Sequence, residues 1–350
     1  MAGLLSAVTA IIPWMQSRAG ALDRNSAFPV EEIARLRHAG ALAPSLPAMG
    51  IGNADELAML LILTGQGNLS VGRILEAHIN AVHLMVRYGM TRRSDDNHLY
   101  ALWVTDPPSD ALSMRRSGNR IILTGGKQFC SGAGYATGAL VTARDELGDT
   151  RMLVLSLSIG ERVTPLPSPL QGMRSAVTGA VDFTGCETSA NAVLGNAGDY
   201  LREPDFSAGA WRGSAVALGG LIALIDHAIA QLHQSGRMNS PHVQSRLGQA
   251  IIARETARLW VLRAAQIAED ANAEASYRVA TAGLARIAVE TACLNAMRAL
   301  QRSLGLSAFR HGNPIELICR DLSTYLRQPA PDEVLTEAAV WFADHKRATL

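Results

Sequence analysis

At 350 residues, with 48% apolar and 18% charged side chains, the chain can bury a sizeable core and is too hydrophobic to be disordered as a whole. Its net charge of +1, with the two signs interspersed, leaves no basic stripe able to neutralise a phosphate backbone, which argues against a nucleic-acid partner. The four cysteines, Cys130, Cys186, Cys293 and Cys319, are too far apart for metal or disulfide spacing, so no metal site is expected and a reducing, cytoplasmic setting is.

The run Leu4 to Trp14 is apolar, but no cation precedes it and it is too short to span a bilayer. It reads as a helix packed on the body. Ile33, Leu36, Leu57, Leu60, Leu61, Ile74, His78, Val82 and Met85 then recur at steps of three and four, which predicts a helical first domain over residues 1–94. From Leu99 the period shortens. Leu99 to Thr105, Arg120 to Thr124, Ala139 to Arg144, Met152 to Leu157 and Gly179 to Phe183 read as strands separated by Gly-, Pro- and Asn-rich turns. This predicts a central antiparallel β-barrel or sandwich over residues 95–205. After Pro204 long helical patterns return, at Gly213 to Gln234, Gln244 to Ala275 and Arg278 to Leu304, with a shorter stretch after Pro314. They predict a C-terminal four-helix bundle over residues 206–350. The apolar run Ala215 to Ile229 is interrupted by Gly219, Gly220 and Asp226 and suits a buried helix, not a membrane span. The fold class is therefore α+β, with three domains in the order helical, β, helical.

Several local stretches narrow this further. Near the C-terminus stand Asn313-Pro314-Ile315-Glu316 and Arg320-Asp321-Leu322-Ser323-Thr324-Tyr325-Leu326-Arg327-Gln328-Pro329. Upstream are Gly67 to His78, Leu102-Trp103-Val104-Thr105-Asp106-Pro107 and Gly126-Lys127-Gln128-Phe129-Cys130-Ser131-Gly132. Together they resemble the acyl-CoA dehydrogenase family, whose domain order is the same. The resemblance implies an FAD cofactor, with the Thr105 and Ser131 hydroxyls at the polar edge of the flavin ring and Phe129 beside them. It implies that the helix from Gly67 to His78 runs along the acyl pocket. For the phosphates it nominates Arg302 and Gly305 in Gln301-Arg302-Ser303-Leu304-Gly305, together with Arg237 and Gln244. The family's glycine-rich stretch is reduced here to one glycine. Because a second subunit completes the family's FAD site, a homodimer or homotetramer is implied, with Leu335, Ala338, Ala339 and Phe342 available for the contact.

The same segment removes the usual chemistry. Nine residues after Arg320, where the family carries the glutamate that takes the substrate's α-proton, stands Pro329. The alternative position, one residue before an arginine on the first bundle helix, is Trp211. Glu76 and His78 are the candidate replacements, with Glu316 weaker. The leading expectation is an oxidoreductase acting on the CH–CH group of an acyl thioester, linked to coenzyme A or a carrier protein, with a non-standard or missing base. One alternative is a flavin monooxygenase on the same scaffold, which needs no α-proton base; there Tyr325 stands about where many such relatives carry a His, and His311 is a further possibility. The other is a degenerate binding or assembly protein. Read without the family, Ser131 lacks the strand-to-helix elbow of a hydrolase nucleophile.

Overall fold

The structure, a computed structural model, describes residues 2–43, 54–90 and 97–345. In α1 (Ala2–Asn25), Val8, Ile12 and Met15 fall on one face at steps of four and three and are buried. Helices α2 (Val30–His38), α3 (Ala54–Gly67) and α4 (Leu69–Arg87) follow. The start of α4 is fixed by Asn68, whose side chain accepts from the Ser70 and Val71 amides at 2.8 and 3.2 Å.

The change of period near residue 99 becomes a change of structure. Ten strands follow among the described residues: β1 (Tyr100–Trp103), β2 (Ser113–Ser117), β3 (Arg120–Thr124), β4 (Gly126–Cys130), β5 (Gly138–Arg144), β6 (Thr150–Ser156), β7 (Arg162–Pro165), β8 (Gly179–Asp182), β9 (Glu187–Ser189) and β10 (Val193–Leu194). They form two sheets. One runs β10-β6-β5-β2-β3-β9 with β1 beside β5, and the other runs β4-β8-β7. The expected antiparallel barrel is corrected on both counts. Among the described residues no closed barrel forms, and β1 lies parallel to β5 in the register Tyr100 opposite Gly138. At Gly125, between β3 and β4, φ is +88° and a Cβ would stand 2.5 Å from the Asp110 carbonyl oxygen; beyond this glycine β4 pairs with β8 and not with β3. Trp103, Leu112, Ile121, Leu123, Val141 and Phe183 fill the space within this part of the protein.

The chain returns to helix with α5 (Asp205–Ala208), α6 (Trp211–Gln234), α7 (Pro241–Glu269), α8 (Ala275–Leu304), α9 (Pro314–Tyr325) and α10 (Pro331–Asp344). Helices α7 and α8 pack along each other, α6 packs on both, α9 lies on α6, and α10 lies on α8. The segment Asp205–Gln234 is long and apolar enough to cross a membrane by composition, yet most of it is buried among other helices, as in a core helix. Helix α6 crosses α3 so closely that a Cβ on Gly219 would lie 2.1 Å from the Ile62 carbonyl oxygen. Of the apolar positions expected on the outside of the last helix, Ala338 is buried within the chain and sits against Gly283 of α8, whereas Leu335 is exposed.

Candidate functional site

The ends of β1 and β4 lie side by side. The Gln128 amide donates to the Thr105 carbonyl at 3.0 Å, and the Trp103 indole Nε1 donates to the Ser131 carbonyl at 3.0 Å. Beneath them Lys127, only 2% exposed, pairs with Asp106 at 2.5 Å and donates to the Thr142 hydroxyl at 2.9 Å. Burial lowers the pKa of this ammonium, and Asp106 opposes that shift. The outcome is a braced rim carrying the exposed Thr105 hydroxyl, the half-buried Ser131 hydroxyl and the Phe129 ring, which is 50% exposed. The Ser131 and Thr178 hydroxyl oxygens are 3.4 Å apart.

Backbone strain gathers at this rim. Phe129, Met173 and Val177 have φ of +54°, +58° and +43°, a left-handed region that costs on the order of 1–3 kcal/mol for a side-chain-bearing residue and most for a β-branched one. The surrounding packing sustains it. Segment 171–173 is pressed onto α9: a Cβ on Gly172 would lie 2.3 Å from the Arg320 carbonyl oxygen, the Gly172 amide donates to the Thr324 hydroxyl at 3.0 Å, and the Met173 amide donates to Asp321 Oδ1 at 2.6 Å. Burial pushes the Asp321 carboxyl up to about 7. Arg320 reaches Asp23 of α1 and Glu316 of its own helix, each at 2.8 Å. The Arg-Asp pair thus fastens α9 to α1 and to the strained segment that ends at Thr178. Pro329 is exposed beyond the end of α9, and its carbonyl accepts from Arg286.

Between α4 and α6 runs a buried polar chain. Glu76 pairs with Arg73 and accepts from the Asn80 amide; the Asn80 oxygen accepts from Arg212 at 3.1 Å; Arg212 pairs with Glu269 at 2.5 Å. The nearby Glu76 charge raises the Arg73 pKa. Trp211 is fully buried, and its indole donates to Glu269 at 3.3 Å. Glu76 is therefore an acceptor committed at both oxygens. His78 is likewise engaged, since its Nδ1 accepts from the Tyr100 amide at 3.0 Å and its Nε2 lies 3.3 Å from the Leu42 carbonyl. It bolts α4 to β1. Tyr325 differs from both: its side chain is buried, yet its hydroxyl has no hydrogen-bond partner among the described residues. A Cβ on Gly213 would stand 3.4 Å from that hydroxyl, and burial raises its pKa well above the usual phenol value.

The remaining nominated residues gather at the end of α8. Arg237 donates to the Ser303 and Leu304 carbonyls, each at 3.1 Å, and so satisfies the last turn of that helix. Gln244 donates to the Met238 carbonyl at 3.0 Å. Arg302 is exposed, and Gly305 takes φ +62° just beyond the helix. The sequence reading thus separates into a rim (Thr105, Phe129, Ser131), a buried helix pair (Glu76, His78) and a helix-end group (Arg237, Gln244, Arg302, Gly305). Thr178 was missed, because only its proximity to Ser131 marks it, and Tyr325 was weighed but not nominated.

The rim fits the ring end of a flavin: an exposed aromatic face and two accessible hydroxyls stand on a strained, well-supported backbone. The helix-end group fits an adenosine diphosphate less well, because Arg237 is already bound to carbonyls and Gly305 stands alone. A cavity of about 440 Å³ lies elsewhere, between α1, the α3–α4 junction, α6 and the start of α9, and none of the nominated residues lines it. His311 and Glu316 do, the latter held by Arg320.

No family model and no curated protein matches the sequence. Solved structures match over nearly its full length. KijD3 in complex with FMN and dTDP-3-amino-2,3,6-trideoxy-4-keto-3-methyl-D-glucose is 19% identical, with 97% of this chain and 93% of that chain covered and a TM-score of 0.83. The nitrososynthase from Micromonospora carbonacea var. africana is 18% identical, with 99% and 96% covered and a TM-score of 0.81. Butyryl-CoA dehydrogenase from Megasphaera elsdenii is 16% identical, with 97% of each chain covered and a TM-score of 0.84. At these identities the likeness is one of backbone. The resemblance read from the sequence holds at that level: this chain has the fold of the acyl-CoA dehydrogenases and their flavin-dependent relatives.

Proposed function

We propose that the protein is a flavin-dependent monooxygenase, with the flavin ring against Thr105, Phe129 and Ser131. One observation carries the choice over an acyl-thioester dehydrogenase: none of the positions weighed for the α-proton base offers a free one, since His78 accepts from the Tyr100 amide, Glu316 is held by Arg320, and the other three are no better. Pro329 has no basic atom in its side chain, Trp211 is an indole sealed in the core, and Glu76 is held between Arg73 and Asn80. Oxygen transfer to a nitrogen, a sulfur or an aromatic carbon makes no such demand. The nitrososynthase among the similar structures carries an activity of that kind in its name.

Bound flavin, when reduced, supplies two electrons to dioxygen, so that one oxygen atom enters the substrate and the other leaves as water. The chain's own residues have separate tasks. Thr105 and Ser131 would hydrogen-bond the polar edge of the ring, with Phe129 beside it. The buried, unpartnered Tyr325 hydroxyl is left for a polar atom of the substrate, while the network from Arg73 to Glu269 keeps the charges between α4 and α6 paired. FMN suits the chain better than FAD, because the Arg237 guanidinium is bound to the Ser303 and Leu304 carbonyls.

The test is to load the protein with reduced FMN or FAD and add isotopically labelled dioxygen with a panel of amines, thioethers and phenols. Label in an organic product supports the proposal. Anaerobic bleaching of the oxidised flavin by an acyl-CoA supports dehydrogenation instead, and failure to take up either flavin supports the binding or assembly reading.

A further inference from the structure

We propose that the cavity between α1, the α3–α4 junction, α6 and the first turn of α9 is a second ligand site, and that it takes a small organic anion with an apolar body. This does not rest on the flavin reading. The volume, about 440 Å³, lies within the range of roughly 300–1,000 Å³ usual for small-molecule sites. Its walls are largely apolar, with Ala19 and Gly20 from α1, Leu69 from α4, Ala223 from α6, and Leu317 and Ile318 from α9.

The polar groups on this lining sort by whether they are already satisfied. Arg320 is shared by Asp23 and Glu316, so those carboxylates offer little to an incoming cation. Asp321 also faces the cavity, and it accepts from the Met173 amide. Two guanidiniums remain. Arg24 and Arg174 both line the cavity and neither makes an ion pair among the described residues; Arg174 only donates through Nε to the Ser26 hydroxyl at 3.2 Å. The first turn of α9, from Pro314, lines the same space, with the Asn313 side chain capping the Ile315 amide. His227 on α6 and His311 before α9 add imidazole hydrogen-bonding groups, burial lowering the His227 pKa. Two unpaired arginines at an apolar cavity that the first turn of α9 also lines select a carboxylate or phosphate on a hydrocarbon or aromatic body, with the guanidiniums forming charge-assisted bonds to its oxygens.

Calorimetric titration tests this, with octanoate and phenyl phosphate as probes and octanol and phenol as their neutral counterparts. The expected result is saturable binding of at least one anion, at least about tenfold tighter than its neutral counterpart. The better of the two anions identifies the head group. Both arginines are exposed, so the double variant Arg24→Gln, Arg174→Gln is expected to melt like the parent and to bind that anion about tenfold more weakly. Binding should survive in Thr105→Ala, which separates this site from the flavin rim. No saturable heat from either anion up to about 10 mM, equal affinity for a neutral counterpart, or unchanged affinity in the double variant would each overturn the proposal.

Discussion

Tyr325 sets stability against activity, whereas Thr105 bears on flavin binding alone. A buried hydroxyl without a partner is destabilising by about 1–3 kcal/mol relative to a satisfied one, and Tyr325 carries such a hydroxyl. Tyr325→Phe should therefore leave the melting temperature unchanged or raise it, while lowering kcat/KM for an oxygenated substrate about tenfold, the cost of one hydrogen bond made only with substrate bound. A lowered melting temperature with full activity would show that the phenol is a structural group. Thr105 is exposed, so Thr105→Ala should not affect folding. We expect it to weaken flavin binding about fivefold to tenfold, measured by quenching of flavin fluorescence. Unchanged affinity would remove Thr105 from the ring's contacts.

At the scale of elements, α9 and segment 171–178 behave as one unit, and Asp321 makes that unit sensitive to pH. Its folded pKa of about 7 lies above the ordinary 3.8, burial being the main cause, with Asp23 and Glu316 adding to it and Arg320 and the Met173 amide opposing it. The folded protein therefore holds this proton more tightly than the unfolded chain. The stability that supplies, at most about 4 kcal/mol, is fully present below about pH 4 and is lost as pH rises through about 7. Asp321→Asn can still accept from the Met173 amide and does not titrate. Its melting temperature should stay nearly level between about pH 5 and 8, where the parent's falls; an equal fall in both would assign the dependence to other groups. Little of this unit was legible beforehand. The Arg320-Asp321 pair is visible in the sequence, but its partners Asp23, Gln171 and Met173 are distant in the chain and carry no motif. Strands with apolar runs, such as Arg120–Thr124, were read with correct bounds because burial imposes a pattern on them. Strands β2 (Ser113–Ser117) and β7 (Arg162–Pro165) were not, because they are mostly exposed and keep no alternation. The barrel expectation failed for a related reason: sheet closure is settled by long-range pairing, such as β1 with β5, which local periodicity does not encode. The pairing of Thr105 with Ser131 rests on resemblance, and no spacing rule alone would propose it; the structure shows their strand ends joined by Gln128 N–H to Thr105 and Trp103 to Ser131.

Across the whole molecule, the described residues form two large cores and a small joint between them. Leu36, Leu61, Leu75, Trp211 and Leu224 belong to a core that runs through the helices, and Trp103, Ile121, Val141 and Phe183 to one within the sheets. Val82, Met85, Tyr100, Leu140 and Met152 form a third cluster where α4 meets β1, β5 and β6. The strained segment at Met173 provides a second connection, since Met173 packs into the helical core while Thr178 meets Ser131, and Phe28 stacked on Tyr135 a third. Cooperative unfolding of two cores requires that the coupling between them exceed the difference in their own stabilities. Met85 is buried in the joint, and truncating such a side chain typically costs about 2–5 kcal/mol. If the joint supplies the coupling, Met85→Ala should split the calorimetric melt into two resolved transitions. Leu61→Ala, which removes comparable volume from the interior of the helical core, should lower the melting temperature without adding a second transition. The comparison separates loss of coupling from loss of stability. A single sharp transition in Met85→Ala, shifted no differently from that of Leu61→Ala, would mean that the helical and sheet parts are held together chiefly outside the joint, through segment 171–178 and the Phe28–Tyr135 stack.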